Sequence, residues 1–190
     1  MIIADLYDFD GTVFDGESGS EFYLFCLKRH PSLIRFLPRQ FFAIVKYVIN
    51  SKKELNEFKS AFYRYLTAID AEKEAEAFWD KNAHRMNEWF RPREHDVPIV
   101  ICSASPLFQI KPICDRLGVS LIIATDMDEK TGRLKDINCK GENKLEYIKK
   151  YAPEYEFRDV YTDSIENDAP ILSLAKRDKY KVEKGICRKI

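Results

Sequence analysis

Short, nearly continuous apolar runs recur through the second half of this chain, separated by stretches with helical spacing, and one such run opens the first half. Residues 2–8 carry Ile2, Ile3, Ala4 and Leu6 and predict a buried strand. From about Ser18 to Phe90 the apolar positions follow a helical period, rich in aromatics, Lys and Glu. The later pattern predicts a strand over 97–102 and a helix over 106–117, with Pro106 in its first turn and Gly118 closing it. A strand over 121–124, a helix over 142–151, a strand over 157–161 and a helix over 165–175 follow. Two short strands near 180–182 and 185–190 end the chain, and residues 126–133 read as a turn or hairpin.

Strands that alternate with helices and lack polar alternation imply a parallel sheet covered on both faces, with right-handed crossovers. The first strand then pairs with strands about ninety residues later, so the helical block between them is an insertion. The expected architecture is α/β, with residues 1–16 and 92–190 forming the core and residues 17–91 a helical cap inserted after the first strand. Open parallel sheets bind ligands at the carboxyl ends of their strands, and the insertion leaves from that edge, where it can act as a lid.

Composition narrows the classes. Lys+Arg and Asp+Glu both number 31, so the formal charge is zero and gives no general reason to expect nucleic-acid binding. Five cysteines, Cys26, Cys102, Cys114, Cys139 and Cys187, are odd in number and widely spaced, which argues against a disulfide framework or zinc site and for a reducing compartment. With no basic leader and apolar core at the start, the expected location is cytoplasmic. No apolar run approaches the roughly 20 residues that span a bilayer. Oligomeric state is not legible.

The chemistry concentrates at strand ends. Asp8 and Asp10 lie two residues apart on an extended backbone and so point to the same side. One carboxylate to attack and one to move a proton need such a pair. Gly11 permits a sharp turn and close approach to a ligand, and Thr12 adds a hydroxyl. Ser103, in Cys102-Ser103-Ala104-Ser105-Pro106, ends the next strand beside a helix start suited to an anion, although Ser before Pro is also an ordinary helix cap. Lys144 opens a helix, where its charge opposes the helix dipole. Asp163 to Asp168 form a second acidic cluster after a strand.

In this order the four elements resemble the motifs of the haloacid dehalogenase (HAD) superfamily. Asp8-Phe9-Asp10-Gly11-Thr12 matches the first motif, Ser103 the second, Lys144 the third, and Asp163 with Asp168 the fourth. The cap position and Ile101-Cys102-Ser103-Ala104-Ser105-Pro106 are most similar to the phosphoserine-phosphatase-like branch. Two departures stand out: Thr162 replaces a frequent Gly before the first acid of motif four, and the second acid follows five residues later, leaving open whether Asn167 or Asp168 faces the site.

The resemblance implies a Rossmann-like core and a Mg²⁺-dependent phosphatase. Asp8 becomes the nucleophile that forms an aspartyl-phosphate, and Asp10 the acid–base residue. Asp8, the Asp10 backbone carbonyl, Asp163 and Asp168 supply or support the metal site. Ser103, the backbone around Ala104, and Lys144 hold the phosphoryl oxygens. Glu17 matches the acidic position that recognises the substrate's amino group in phosphoserine phosphatases, while Arg64 qualifies as a carboxylate partner only by residue type. The expected substrate is a small phosphorylated metabolite. Residues 33–49 combine many apolar positions with Arg35, Arg39 and Lys46, so either a lipid phosphate handled at a membrane surface or packing of that face under the other cap helices remains open. Phosphoryl transfer to another acceptor, or non-catalytic binding of a phosphorylated ligand, uses the same residues.

Overall fold

Residues that can be buried on both faces of a sheet form its centre. A computed structural model describes residues 1–49, 55–91 and 96–190. Strand β1 (Ile2–Tyr7) lies between β2 (Ile99–Pro106) and β6 (Tyr155–Thr162), parallel to both. β3 (Leu121–Thr125) extends the sheet beyond β2, and β7 (Asp178–Glu183) with the antiparallel β8 (Ile186–Lys189) extends it beyond β6. The order β3-β2-β1-β6-β7-β8 runs outward on both sides of β1, so the crossovers diverge there and open a crevice at its carboxyl end. Pairing of Tyr7 with both Ile101 and Tyr161 brings the ends of β1, β2 and β6 to one edge.

That edge is stiffly supported. Tyr7, Tyr161 and Tyr180 stack across three strands, with ring centroids 4.4 and 4.6 Å apart. Two buried carboxylates on the sheet are held by guanidinium groups: Arg158 grips Asp5 at 2.9 and 2.7 Å, and Arg177 binds Asp159.

The core helices are α5 (Leu107–Arg116), α6 (Asn143–Tyr151) and α7 (Ala169–Leu172), and β4 (Met127–Asp128) with β5 (Arg133–Leu134) forms the anticipated hairpin. Two predicted boundaries are corrected. The second strand runs on to Pro106, which caps α5 in an extended conformation instead of entering its first turn. The helix expected over 165–175 shrinks to α7's four residues. Thr162 Oγ1 accepts the Ser164 N–H and donates to Asp168, so the segment before Ala169 is spent on a side-chain-bonded turn.

Between β1 and β2 lie α1 (Ser18–Arg29), α2 (Leu37–Ile49), α3 (Leu55–Phe62) and α4 (Ala71–Asn82), joined by 3₁₀ segments at Pro31–Phe36, Tyr63–Ala68 and Ala83–Arg85. They share a hydrophobic core with the sheet, in which Trp79 of α4 meets Phe9 and Phe14 edge-on and donates its indole N–H to the Gln109 carbonyl of α5 at 2.6 Å. The expected boundary at residue 92 lies outside the described residues. The alternative in which cap helices cover the apolar face of 33–49 is corrected: Leu33 is buried, but α2 turns Gln40 inward and leaves Phe41, Phe42, Val48 and Ile49 exposed. Gln40 is held there because it accepts from the Tyr23 hydroxyl at 2.6 Å and donates to the Phe62 carbonyl at 2.9 Å.

Candidate active site

At the end of β1 the chain makes a tight turn in which the Phe9 carbonyl accepts N–H bonds from Thr12, Val13 and Phe14. Gly11 has φ +73°, and a Cβ there would meet Asp163 Oδ2 at 2.6 Å. The turn therefore lays the Gly11 backbone against Asp163, a contact only glycine permits. Asp8 points into a cleft of about 560 Å³. Asp10, Glu17, Ser103, Ala104, Lys144, Asp163 and Asp168 line the same cleft, so the four motif positions and Glu17 converge there. Arg64 is not among its lining residues.

Lys144 Nζ sits 2.7 Å from Asp8 Oδ1 and 2.7 Å from Asp168 Oδ1. Asp168 Oδ2 in turn accepts the Thr162 hydroxyl at 2.7 Å. Of the two residues left open, Asp168 is therefore the buried partner of Lys144, while Asn167 is exposed at the rim and bonds Ser164. Burial disfavours the Lys144 ammonium, but its carboxylate neighbours outweigh this and raise its pKa above the ordinary lysine value. Burial raises Asp8 to about 7 against the pull of Lys144, with Asp168 pushing the same way as burial.

Carboxylate oxygens of Asp8, Asp163 and Asp168 lie within 4.8 Å of one another. One ammonium against three clustered carboxylates leaves negative charge that low-dielectric surroundings penalise. All-oxygen donors with surplus negative charge suit a hard divalent cation such as Mg²⁺, which keeps several waters and needs few protein ligands. The Asp10 side chain lies outside this trio: its carboxylate accepts the Ser18 N–H at 2.8 Å and the Ser105 hydroxyl at 2.5 Å. Burial raises its pKa despite those bonds.

Ser103 Oγ accepts the Ser105 N–H at 3.0 Å, which leaves its own proton to donate into the cleft. Glu17 lies at the rim, its pKa raised by desolvation and by the charges of Asp10 and Asp163. The sequence reading passed over Ser18 and Ser105, which orient Asp10, and over Lys59. From α3, Lys59 Nζ donates to the Ala104 carbonyl at 2.8 Å and to Asn138 Oδ1 at 2.6 Å. Burial, then the charge of Lys140, lowers its pKa to about 8. A lysine among the aromatics of an amphipathic helix carries no local sign of such reach.

Residues 6–173 match the haloacid dehalogenase-like hydrolase family, and the chain belongs to it. Among solved structures it is similar to a protein of unknown function from Bordetella pertussis Tohama I, at 19% identity and TM-score 0.70, covering 91% of this chain and 86% of that one. A phosphoserine phosphohydrolase-like protein from Francisella tularensis subsp. tularensis SCHU S4 shares the fold at 17% identity and TM-score 0.59, covering 94% and 86%. Cytosolic 5'-nucleotidase IIIB bound to cytidine does so at 13% identity and TM-score 0.60, covering 93% and 71%. No curated protein matches the chain in sequence.

Proposed function

We propose that this hydrolase is a Mg²⁺-dependent phosphatase of the phosphoserine-phosphatase-like branch, cleaving a phosphate monoester through an aspartyl-phosphate on Asp8. The observation that carries this reading is the convergence of Asp8, Lys144, Asp163 and Asp168, with Asp10 beside them but separately hydrogen-bonded. Asp8, Asp163, the Asp10 carbonyl and Asp168 would hold Mg²⁺, which would supply charge compensation between the anionic ester and the anionic nucleophile.

The steps then follow from the chain's own groups. A carboxylate oxygen of Asp8 bonds to phosphorus in line with the ester oxygen, and the phosphorus–ester oxygen bond breaks. Asp10, protonated, gives its proton to the leaving alkoxide. The resulting Asp10 carboxylate takes a proton from water, whose oxygen attacks phosphorus and breaks the bond to Asp8, releasing phosphate. A raised pKa suits both exchanges, because Asp10 must hold a proton before the first step and release it during it. Lys144 keeps Asp8 oriented, and the Ser103 hydroxyl with the nearby backbone holds phosphoryl oxygens.

Residues 17–91 serve as a cap whose contacts complete the site: Ser18 orients Asp10 and Lys59 anchors the Ala104 carbonyl. Glu17 selects leaving groups that present an ammonium or hydroxyl donor. A small phosphorylated metabolite satisfies the phosphate end of the cleft. Five free thiols fit a cytoplasmic setting. Among the described residues no helix is long and apolar enough to cross a membrane. Retention of both Asp8 and Asp10 favours turnover over non-catalytic phospho-ligand binding. The test is hydrolysis of an aryl phosphate with Mg²⁺: we expect it to vanish on chelation and in Asp8→Asn. An active Asp8→Asn enzyme overturns the nucleophile assignment.

A further inference from the structure

Helix α2 is amphipathic the wrong way round for a helix packed on its own protein. Its inward residues are Gln40, Ala43 and Tyr47, spaced three and four apart. Its outward stripe is Leu37, Phe41, Ile44 and Val48, spaced four, three and four, with Phe42 and Ile49 widening it. Phe41 is 62% exposed, Phe42 70%, Val48 61% and Ile49 71%. Ile34, in the preceding 3₁₀ segment, continues the patch at 62% exposure. Scattered exposed apolar residues are ordinary, but one continuous hydrocarbon stripe about 20 Å long on a 13-residue helix marks an interaction surface.

Charge identifies the occupant. Residues 31–49 contain Arg35, Arg39 and Lys46 and no Asp or Glu, in a chain whose total charge is zero. Arg39 and Lys46 lie together along one border of the stripe, with Lys46 also paired to Glu57 at 2.7 Å. A second copy docking isologously would set this cationic border against itself without an acid on the segment to meet it. A basic border beside an apolar stripe instead matches an anionic bilayer, with the hydrocarbon face in the acyl boundary and the cations at the headgroups. At 13 residues the helix lies on such a surface and cannot cross it.

The same helix adjoins the catalytic cleft. Tyr47, stacked on Phe58 at 4.8 Å, lines that cleft, and the two rings also line an adjoining groove of about 230 Å³ between α2 and α3. The cleft and the groove thus share Tyr47 and Phe58, and Phe42 of the exposed patch also lines the groove. We infer that α2 docks on an anionic lipid bilayer and that the phosphatase draws its substrate from it: a lipid phosphate monoester with its phosphate at Asp8 and its hydrocarbon along the α2–α3 groove. The substrate half of this inference rests on the phosphatase reading; the docking half does not.

The test uses the full chain and vesicles of phosphatidylcholine with or without phosphatidylglycerol. We expect co-flotation with the anionic vesicles only, weakened by salt and by the charge-reversed pair Arg35→Glu, Arg39→Glu. Phe41→Asp should weaken partitioning roughly ten- to hundredfold, the loss expected when one phenylalanine no longer enters the apolar phase. Asp8→Asn should float like the wild type. With a long-chain lipid phosphate in those vesicles, Phe41→Asp should lower kcat/KM by a similar factor while hydrolysis of a soluble aryl phosphate stays unchanged, which also shows that the variant is folded. Wild-type protein that stays in the soluble fraction while hydrolysing aryl phosphate overturns the inference and spares the phosphatase reading. So does a wild-type dimer that Phe41→Asp turns into monomer without any vesicle binding. Vesicle binding without hydrolysis of any phosphate ester keeps the docking surface and sinks the substrate half.

Discussion

Lys144→Met removes the ammonium lodged between Asp8 and Asp168, and the structure sets the size and the pH dependence of the consequence. Each pair is 2.7 Å apart, worth about 6 kcal/mol of attraction at an effective dielectric of about 20, offset by several kcal/mol for desolvating the ammonium. Breaking a buried pair from one side typically costs about 3–5 kcal/mol, because a stranded carboxylate remains. Protonation limits that cost. Asp8 stands at about 7 in the folded protein against an ordinary 3.8, so wild-type stability falls as pH rises between those values and levels off above 7. Without Lys144 the folded Asp8 holds its proton to still higher pH. The variant's deficit is therefore smallest below pH 7 and grows above it by up to about 1.4 kcal/mol per pH unit. Urea unfolding of both proteins in the presence of a chelator, on either side of pH 7, measures this directly. A loss under about 1 kcal/mol above pH 7, or one that shrinks as pH rises, would refute an ammonium bridging two buried carboxylates. The same substitution should lower aryl phosphatase kcat about 10²–10³-fold at saturating Mg²⁺.

Other expectations follow from single contacts. Asp10→Asn keeps an acceptor for the Ser18 N–H but has no proton to give, so kcat should fall about 10²–10⁴-fold, and further for alkyl than for aryl phosphates, whose leaving groups need less protonation; an equal loss on both would contradict the acid role. Gly11→Ala forces a Cβ against Asp163 and a side chain into positive φ, so it should cost about 1–2 kcal/mol and raise the Mg²⁺ concentration needed for half-maximal activity several-fold. An unchanged metal titration would separate that backbone from the metal site. Gln40→Leu strands the Tyr23 hydroxyl and the Phe62 carbonyl and should lower stability by about 2 kcal/mol in thermal or urea unfolding. A stabilised variant would mean that α2 packs its apolar face inward.

Much of the candidate site is local in the chain and was legible there. A carboxylate pair after a buried strand, a serine at the next strand end, a lysine in the first turn of a helix and an acidic loop each follow from strand or helix periodicity, and parallel strands collect their carboxyl ends at one edge whatever the details of packing. Residues whose roles depend on distant partners were not. Lys59 acts on Ala104, 45 positions away, and Ser105 on Asp10, 95 positions away. The helix expected over 165–175 failed because Thr162 and Asp168 hydrogen-bond within a turn, a competition that helical periodicity does not register.

The amino-acid sequence by itself determined the alternation of strands and helices, the place of the insertion, and which carboxylates, hydroxyl and ammonium meet at the sheet edge, because those depend on local period and chain direction. Tertiary structure alone decided which acid of motif four faces Lys144, how the Asp10 carboxylate is held, and which way α2 turns. Periodicity shows that a helix has an apolar face but carries no information about what that face meets. Here the orientation is set by buried partners for one glutamine, and they leave the apolar face turned to the outside.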